Sequence, residues 1–319
     1  MSDRASGRVT LRKRHSKLVE FFIRLVKEKP LGTVGAIITL VALFVGIFAD
    51  FIAPYGFNEV NPAYAAVAPS AKFWLGTDNL GRDMLSRVIY GARVSMIIGI
   101  SATLLSTAIS LTIGMLCGYL MGKFDLVVQR IGEVFECLPF LPVLLTLVVL
   151  LGPGMLGLIM VMGPLGGLGT ARGTRGIILS YKNNVYVKAA VAIGCPTNRV
   201  MLRHLLPNIL PFIIVGITMG IPGMILAEAS LSFLGFGIPP PFPTWGGMLS
   251  ASRAMMFRVP WMAIWPGLAL STVVYGVNMF GDAVRDLLDP RLRGGVGRYG
   301  VRAKKGKKGG DASQSSTTE

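Results

Sequence analysis

Apolar residues run almost unbroken along much of this chain, and polar residues gather in the gaps between the runs. A helix needs roughly 20 apolar residues to cross the ~30 Å hydrocarbon core of a bilayer. Leu31 to Ile52 meets that length and holds one charge, Asp50, near its end. Val94 to Gly122 holds none. Glu136 is followed by a charge-free stretch from Cys137 to Ala171, too long for one helix and interrupted by GPG at Gly152 to Gly154. It reads as two spans, 132–151 and 155–171, the second short and glycine-rich. Residues 209–235, which contain Glu228, and 260–281 complete a set of six. The expected fold class is an all-α polytopic membrane protein.

Composition agrees: 52% of residues are hydrophobic and 15% charged, where a soluble domain has about 25% charged. The formal net charge is +16, and its placement carries the topology. Lys and Arg accumulate in cytoplasmic segments of membrane proteins. Residues 1–30 hold nine, 123–130 two, 172–208 six and those after 282 nine, whereas 55–92 hold three and 236–259 two. Twenty-six of the 32 therefore share one side if the chain crosses six times with both termini cytoplasmic. Five crossings would put either the opening segment or the tail on the wrong side. The same scatter over separate loops argues against a nucleic-acid surface.

Two flanking segments fit this picture. In KLVEFFIRLVKEK, residues 17–29, Leu18, Phe21, Phe22 and Leu25 share one helical face. This reads as a helix on the membrane surface, with an extension of the first span as the plainer reading. The tail from 283 is glycine-, lysine- and serine-rich, has little to bury and reads as disordered. About thirty polar, basic residues precede the first apolar run, which argues against a cleavable signal peptide.

Candidate chemistry is sparse. The two histidines, His15 and His204, form no HExxH, and neither GxSxG nor GxxxxGK[ST] occurs. An ATPase site, a cofactor site and a metal site are therefore not expected on this chain. Cys117, Cys137 and Cys195 lie far apart, without metal or disulfide spacing. Gly114/Gly118 and Gly216/Gly220 are GxxxG pairs, read as close helix packing. Glu228 is the clearest intramembrane charge, and such a residue is costly. It is either a pathway or gate residue or a structural hydrogen-bonder. Glu133, Glu136 and Asp282 fall near span ends.

One segment differs from the rest. YVKAAVAIGCPTNRVMLRHLLPNILP, residues 186–211, is basic and punctuated by Gly194, Pro196, Pro207 and Pro211. Asn183 or Asn184 can cap a short helix through Ile193. Gly194 then stands where a left-handed residue closes a helix. Thr197 can cap a second short helix, expected to end before Pro207. The small residues Ala189 and Ala190 are expected at an exposed elbow, where a partner backbone could come close.

Here the chain resembles a known family. The pattern E-A-A-x3-G-x9-I-x-L-P marks the cytoplasmic loop of ABC importer permeases. Ala189, Ala190, Gly194, Leu206 and Pro207 match it at the same spacing, while Lys188 replaces the glutamate and His204 the isoleucine. LGTDNLGRDMLSRVIYGARVS (75–95), EASLSFLGFGIPPPFPTWGGML (228–249) and DPRLRGG (289–295) resemble the dipeptide/oligopeptide permease family, in its second, C-type membrane subunit. The resemblance spans roughly 20–295. It implies a type I importer permease domain over 93–282 with an ATPase-coupling loop at 172–208, preceded by the first span and an external loop over 31–92. It also implies a second permease subunit, two ATP-binding subunits and an extracytoplasmic binding protein as partners. The coupling loop would include Lys188, Ala189, Ala190, Gly194, Cys195, His204, Leu206 and Pro207. The implied cargo is peptide, with nickel, glutathione or oligosaccharide as alternatives. A secondary transporter is the distant alternative, since Glu228 alone could serve a coupling ion.

Overall fold

The structure, a computed structural model, describes residues 17–288. Residues 1–16 and 289–319, the latter with the DPRLRGG segment, lie outside the described residues, while residues 283–288, expected in a disordered tail, are the end of the last helix. In chain order the helices are α1 (Lys17–Glu28), α2 (Pro30–Ile47), α3 (Ala49–Ile52), α4 (Met84–Leu120), α5 (Gly122–Cys137) and α6 (Phe140–Leu151). They continue with α7 (Met155–Lys182), α8 (Val185–Ala192), α9 (Thr197–Arg199), α10 (Leu206–Phe233), α11 (Trp245–Ser252) and α12 (Trp261–Leu288). Five of the described helices or helix runs are long and apolar enough to cross a membrane, and the bent pair α5–α6 supplies a sixth if counted as one span.

That pair revises the straight helix expected at 132–151. α5 and α6 meet at an angle of 98°. Proline has no N–H to bond back into a preceding turn and disfavours helical backbone in the residue before it. Leu138, ahead of Pro139, accordingly adopts φ −83°, ψ 138° and ends α5.

Three helices overrun the apolar runs that announced them. α7 continues past 171 to Lys182, α12 past 281 to Leu288, and α4 begins at Met84 rather than at Val94. Hydropathy marks where lipid stops, not where a helix does. The α4 start is set by Asp83, whose carboxylate accepts from the Ser86 backbone N–H and hydroxyl, both at 2.7 Å, a side-chain cap on the first turn.

Packing fixes which helix ends lie together. Arg93, near the start of α4, donates to the Gly46 carbonyl at the end of α2 at 2.7 Å. Trp261, opening α12, donates to Thr77 at 3.1 Å. At the opposite end, Leu25 of α1 is buried against Ala283 and Leu287 of α12, and Lys29 pairs with Asp286. Met115 of α4 packs there with Ile178 of α7 and Val187 of α8. The start of α2 and the end of α12 thus share one side of the bundle with α8. α1 also carries outward Val19, Phe22 and Val26, so it has two apolar faces, one on α12 and one free.

The loop side is a polar knot. Asp78 accepts from the backbone of Leu80 and Arg82 and from Arg82 Nε at 2.6 Å, with Arg87 at 3.7 Å. Thr77, Asp78, Arg82, Asp83, Ser86 and Arg87 are all buried. The 75–95 segment therefore holds the loop before α4 to the start of that helix. Trp245, also buried, donates to the Val88 carbonyl at 3.1 Å and fastens α11 to the same place.

Candidate functional site

The elbow forms from local rules. α8 ends at Ala192, and Gly194 takes φ +81°, a conformation that side chains disfavour. The Gly194 N–H donates to Val191 at 2.9 Å, and the Cys195 N–H reaches back to Ala190 at 3.0 Å. These are the two reversed bonds of a Schellman closure. Asn184 stands at the N-cap without a side-chain bond. The second cap falls on Pro196, not Thr197.

The second helix does not end before Pro207. From Thr197 it passes through a π-helical segment, Val200–Leu205, straight into α10. A proline ring clashes with the carbonyl four residues back in a regular helix. The wider π turn relieves this, and Pro207 becomes an early residue of α10. The Asn208 side chain then donates to the His204 carbonyl at 2.6 Å.

Residues of the expected coupling set divide by exposure. Lys188, Ala189, Gly194 and Pro207 are exposed, and Cys195, His204 and Leu206 are half-buried. Ala190 departs from the expectation of an exposed elbow residue: it is buried beneath Ala189. With Val187 it packs on Met115, Ile178, Val200, Met201, Leu205 and Ile209. Adjacent helix positions are about 100° apart around the axis, so neighbouring alanines need not share a face. α8 is thus cemented to the ends of α4, α7 and α10. Its free side carries Val185 and Ile193, 84% and 85% exposed, with Tyr186 and Val191 beside them. These apolar side chains are left out of the packed elbow.

A cavity of about 240 Å³ lies between α4, α7 and α10. Thr103, Ser106, Thr107 and Ser110 line one wall, Thr170 and Thr174 a second, and Gly216 and Gly220 a third, with Phe212, Ile213 and Met224 making the lining mostly apolar. Ser110 and Thr174 share a hydrogen bond of 2.8 Å. The sequence reading missed this wall, although Thr103, Ser106, Thr107 and Ser110 follow the i, i+3, i+4, i+7 spacing of one helix face. The two GxxxG pairs part company. A Cβ on Gly114 or Gly118 would come within 2.6 Å of Thr174 and 2.8 Å of Ile178, so that pair is a close α4–α7 crossing. Gly216 has open space around it and faces the cavity.

Glu228 has no exposed surface. The Ser95 hydroxyl donates to one carboxyl oxygen at 3.2 Å and the Ser232 hydroxyl to the other at 2.7 Å. It lies between α10 and α4 and is not among the residues lining the cavity. Cys117 is buried and Cys137, at the α5–α6 bend, is exposed.

A helical, multi-pass membrane component with a rigid elbow at one face is the class these features define. The chain matches the family described as binding-protein-dependent transport system inner membrane component over residues 110–294, and it belongs to that family. It is 37% identical over 271 residues to the dipeptide transport system permease protein DppC of Bacillus subtilis (strain 168), covering 85% of each chain. The oligopeptide transport system permease protein OppC of the same strain is 35% identical over 267 residues, 84% of this chain and 88% of the relative. The glutathione transport system permease protein GsiD of Escherichia coli O6:K15:H31 (strain 536 / UPEC) is 36% identical over 274 residues, 86% and 90% respectively.

Proposed function

We propose that this chain is a membrane subunit of an ABC importer for peptides. It forms the pathway with a second homologous permease subunit and is driven by two cytoplasmic ATP-binding subunits. An extracytoplasmic binding protein delivers the solute. The observation that carries this reading is the elbow: a Schellman-closed helix cemented to three spans, with apolar side chains left free, on the side richest in Lys and Arg. That side is cytoplasmic by the charge rule, which puts the ends of the described chain there too. Relatives named for dipeptide, oligopeptide and glutathione transport support peptide-like cargo.

ATP binding closes the ATPase pair, and α8, seated on it, moves. Because Val187 and Ala190 share a core with α4, α7 and α10, those spans must follow, and physical contact carries the coupling. Lys188, where the family motif has a glutamate, presents the opposite charge at the seat. The cavity between the same spans, lined by apolar side chains such as Phe212, Ile213 and Met224 as well as by hydroxyls, contributes this chain's wall of the pathway. Glu228 serves as a tether between α10 and α4 rather than as a gate, since both carboxyl oxygens are engaged within the chain.

Proteoliposomes holding this chain with a second permease subunit and the ATP-binding subunits test the reading. Labelled dipeptide should accumulate only with binding protein outside and ATP inside. Uptake driven by an ion gradient without ATP would replace it with the secondary-transporter reading.

A further inference from the structure

α5 is attached to the rest of the protein in an unusual way. It is 16 residues long, and its only buried residue is a carboxylate, Asp125, 7% exposed. Its apolar side chains, among them Leu126, Val127, Ile131 and Val134, point outward. The face toward α7 is polar. Asp125, Gln129, Glu133 and Glu136 follow one helical stripe, and two arginines of α7 meet it. Arg175 grips Asp125 with Nε and Nη2, both at 2.6 Å. Arg172 donates to Glu136 at 2.8 Å, to Gln129 at 3.2 Å and to Glu133 at 3.4 Å.

The two halves of the bent span are held differently. α6 is held by apolar packing: Leu144 and Val148 are buried among Val94, Leu158 and Leu231, toward the loop side. α5, toward the elbow side, is held by charge. α7 runs unbroken from that charged face to Lys182, whose ammonium donates to the Tyr119 carbonyl at 2.6 Å. α8 begins at Val185 and packs on Ile178 of the same helix. Arg172 and Arg175 are therefore the strongest side-chain links by which movement of the elbow can reach α5, beside the chain link at Met121 and the hinge at Leu138–Pro139.

We infer that the Arg175–Asp125 grip, backed by Arg172 on Glu133 and Glu136, is the strut that passes elbow motion to the third span. These are positioning residues for coupling, and the inference rests on the elbow reading proposed above. Paired guanidinium and carboxylate resist sliding because two parallel bonds fix both distance and angle. An apolar contact would let α5 slip over α7.

The test measures uptake and ATP hydrolysis together in the reconstituted complex. Asp125→Asn keeps the shape and loses the charge. The expected result is normal assembly with ATP hydrolysed per solute imported raised at least about fivefold, the lower end of ordinary site-to-site coupling. Exchanging the charges, Asp125→Lys with Arg175→Glu, should bring the ratio back toward wild type, which a mere loss of folded protein would not do. An unchanged ratio in Asp125→Asn, or uptake and hydrolysis falling in equal proportion, overturns the strut. Gly194→Val in the same preparation separates the two claims. If it uncouples and Asp125→Asn does not, the elbow stands and the strut falls. If it leaves the ratio unchanged, the elbow reading itself has failed.

Discussion

The Cys195 backbone N–H donates to the Ala190 carbonyl at 3.0 Å, and that bond folds the chain back over the end of α8. It places a buried alanine and a half-buried thiol on one turn whose outer side is apolar and free. The turn depends on Gly194 at φ +81°.

A side chain at Gly194 meets no neighbour within 4 Å, so its cost is conformational alone, about 1–2 kcal/mol for an L-residue in this region. Gly194→Asn should be mild, since Asn tolerates the conformation, and Gly194→Val severe. ATP-driven uptake at matched protein levels should rank wild type, Asn, Val in falling order. Equal activity of Asn and Val would separate the turn from function.

Glu228→Gln should be nearly silent. The amide oxygen can accept from one serine and the amide N–H₂ can donate to the other, so both contacts survive. Glu228→Leu leaves the Ser95 and Ser232 hydroxyls without the carboxyl and should cost about 1–3 kcal/mol, read as a lower melting temperature of the purified complex. Loss of uptake in Glu228→Gln with unchanged melting would restore the gate reading.

The cavity and the crossing give opposite results for glycine replacement. Gly118→Leu should impair assembly, because Ile178 and the Arg175 carbonyl stand within about 3 Å of the new Cβ position. Gly216→Ala should fold normally, with nothing near it. Gly216→Phe should fold yet slow uptake by filling the space between α4, α7 and α10. Blue-native gels and uptake on the same membranes distinguish the three.

In the polar knot ahead of α4, Asp78→Ala leaves two buried arginines without their carboxylate. Breaking a buried pair from one side costs about 3–5 kcal/mol. Expression should collapse, whereas Glu59→Ala, an exposed acid in the same loop, should leave it unchanged.

What the sequence disclosed follows from which forces act locally. The six apolar runs were legible because lipid demands unbroken hydropathy, and the Gly194 turn because left-handed closure selects glycine. The break at Leu138–Pro139 was written in Pro139, but a span-length apolar run masked it. The π segment before Pro207 was not legible: proline there reads as a stop, and only packing of Val200, Leu205 and Ile209 against Met115 keeps the helix going. Arg172 and Arg175 looked like loop charges, since their partners on α5 lie 36 to 50 positions away and no local pattern joins them. Ala190 looked exposed because both small alanines fell in the same short helix before Gly194, whereas helix geometry turns one of them inward.

The most direct measurement labels Cys195 with a charged, membrane-impermeant maleimide. Cys117 is buried and serves as an internal blank, and Cys137→Ser removes the one exposed competitor among the three cysteines. In inside-out vesicles the account predicts that Cys195 labels, that stripping the ATP-binding subunits raises labelling, and that restoring them lowers it. In intact cells the same reagent should leave Cys195 unlabelled. Strong labelling in intact cells would place the elbow outside and contradict both the topology and the docking role. Labelling from the inside that ignores the ATP-binding subunits would contradict the seat on α8.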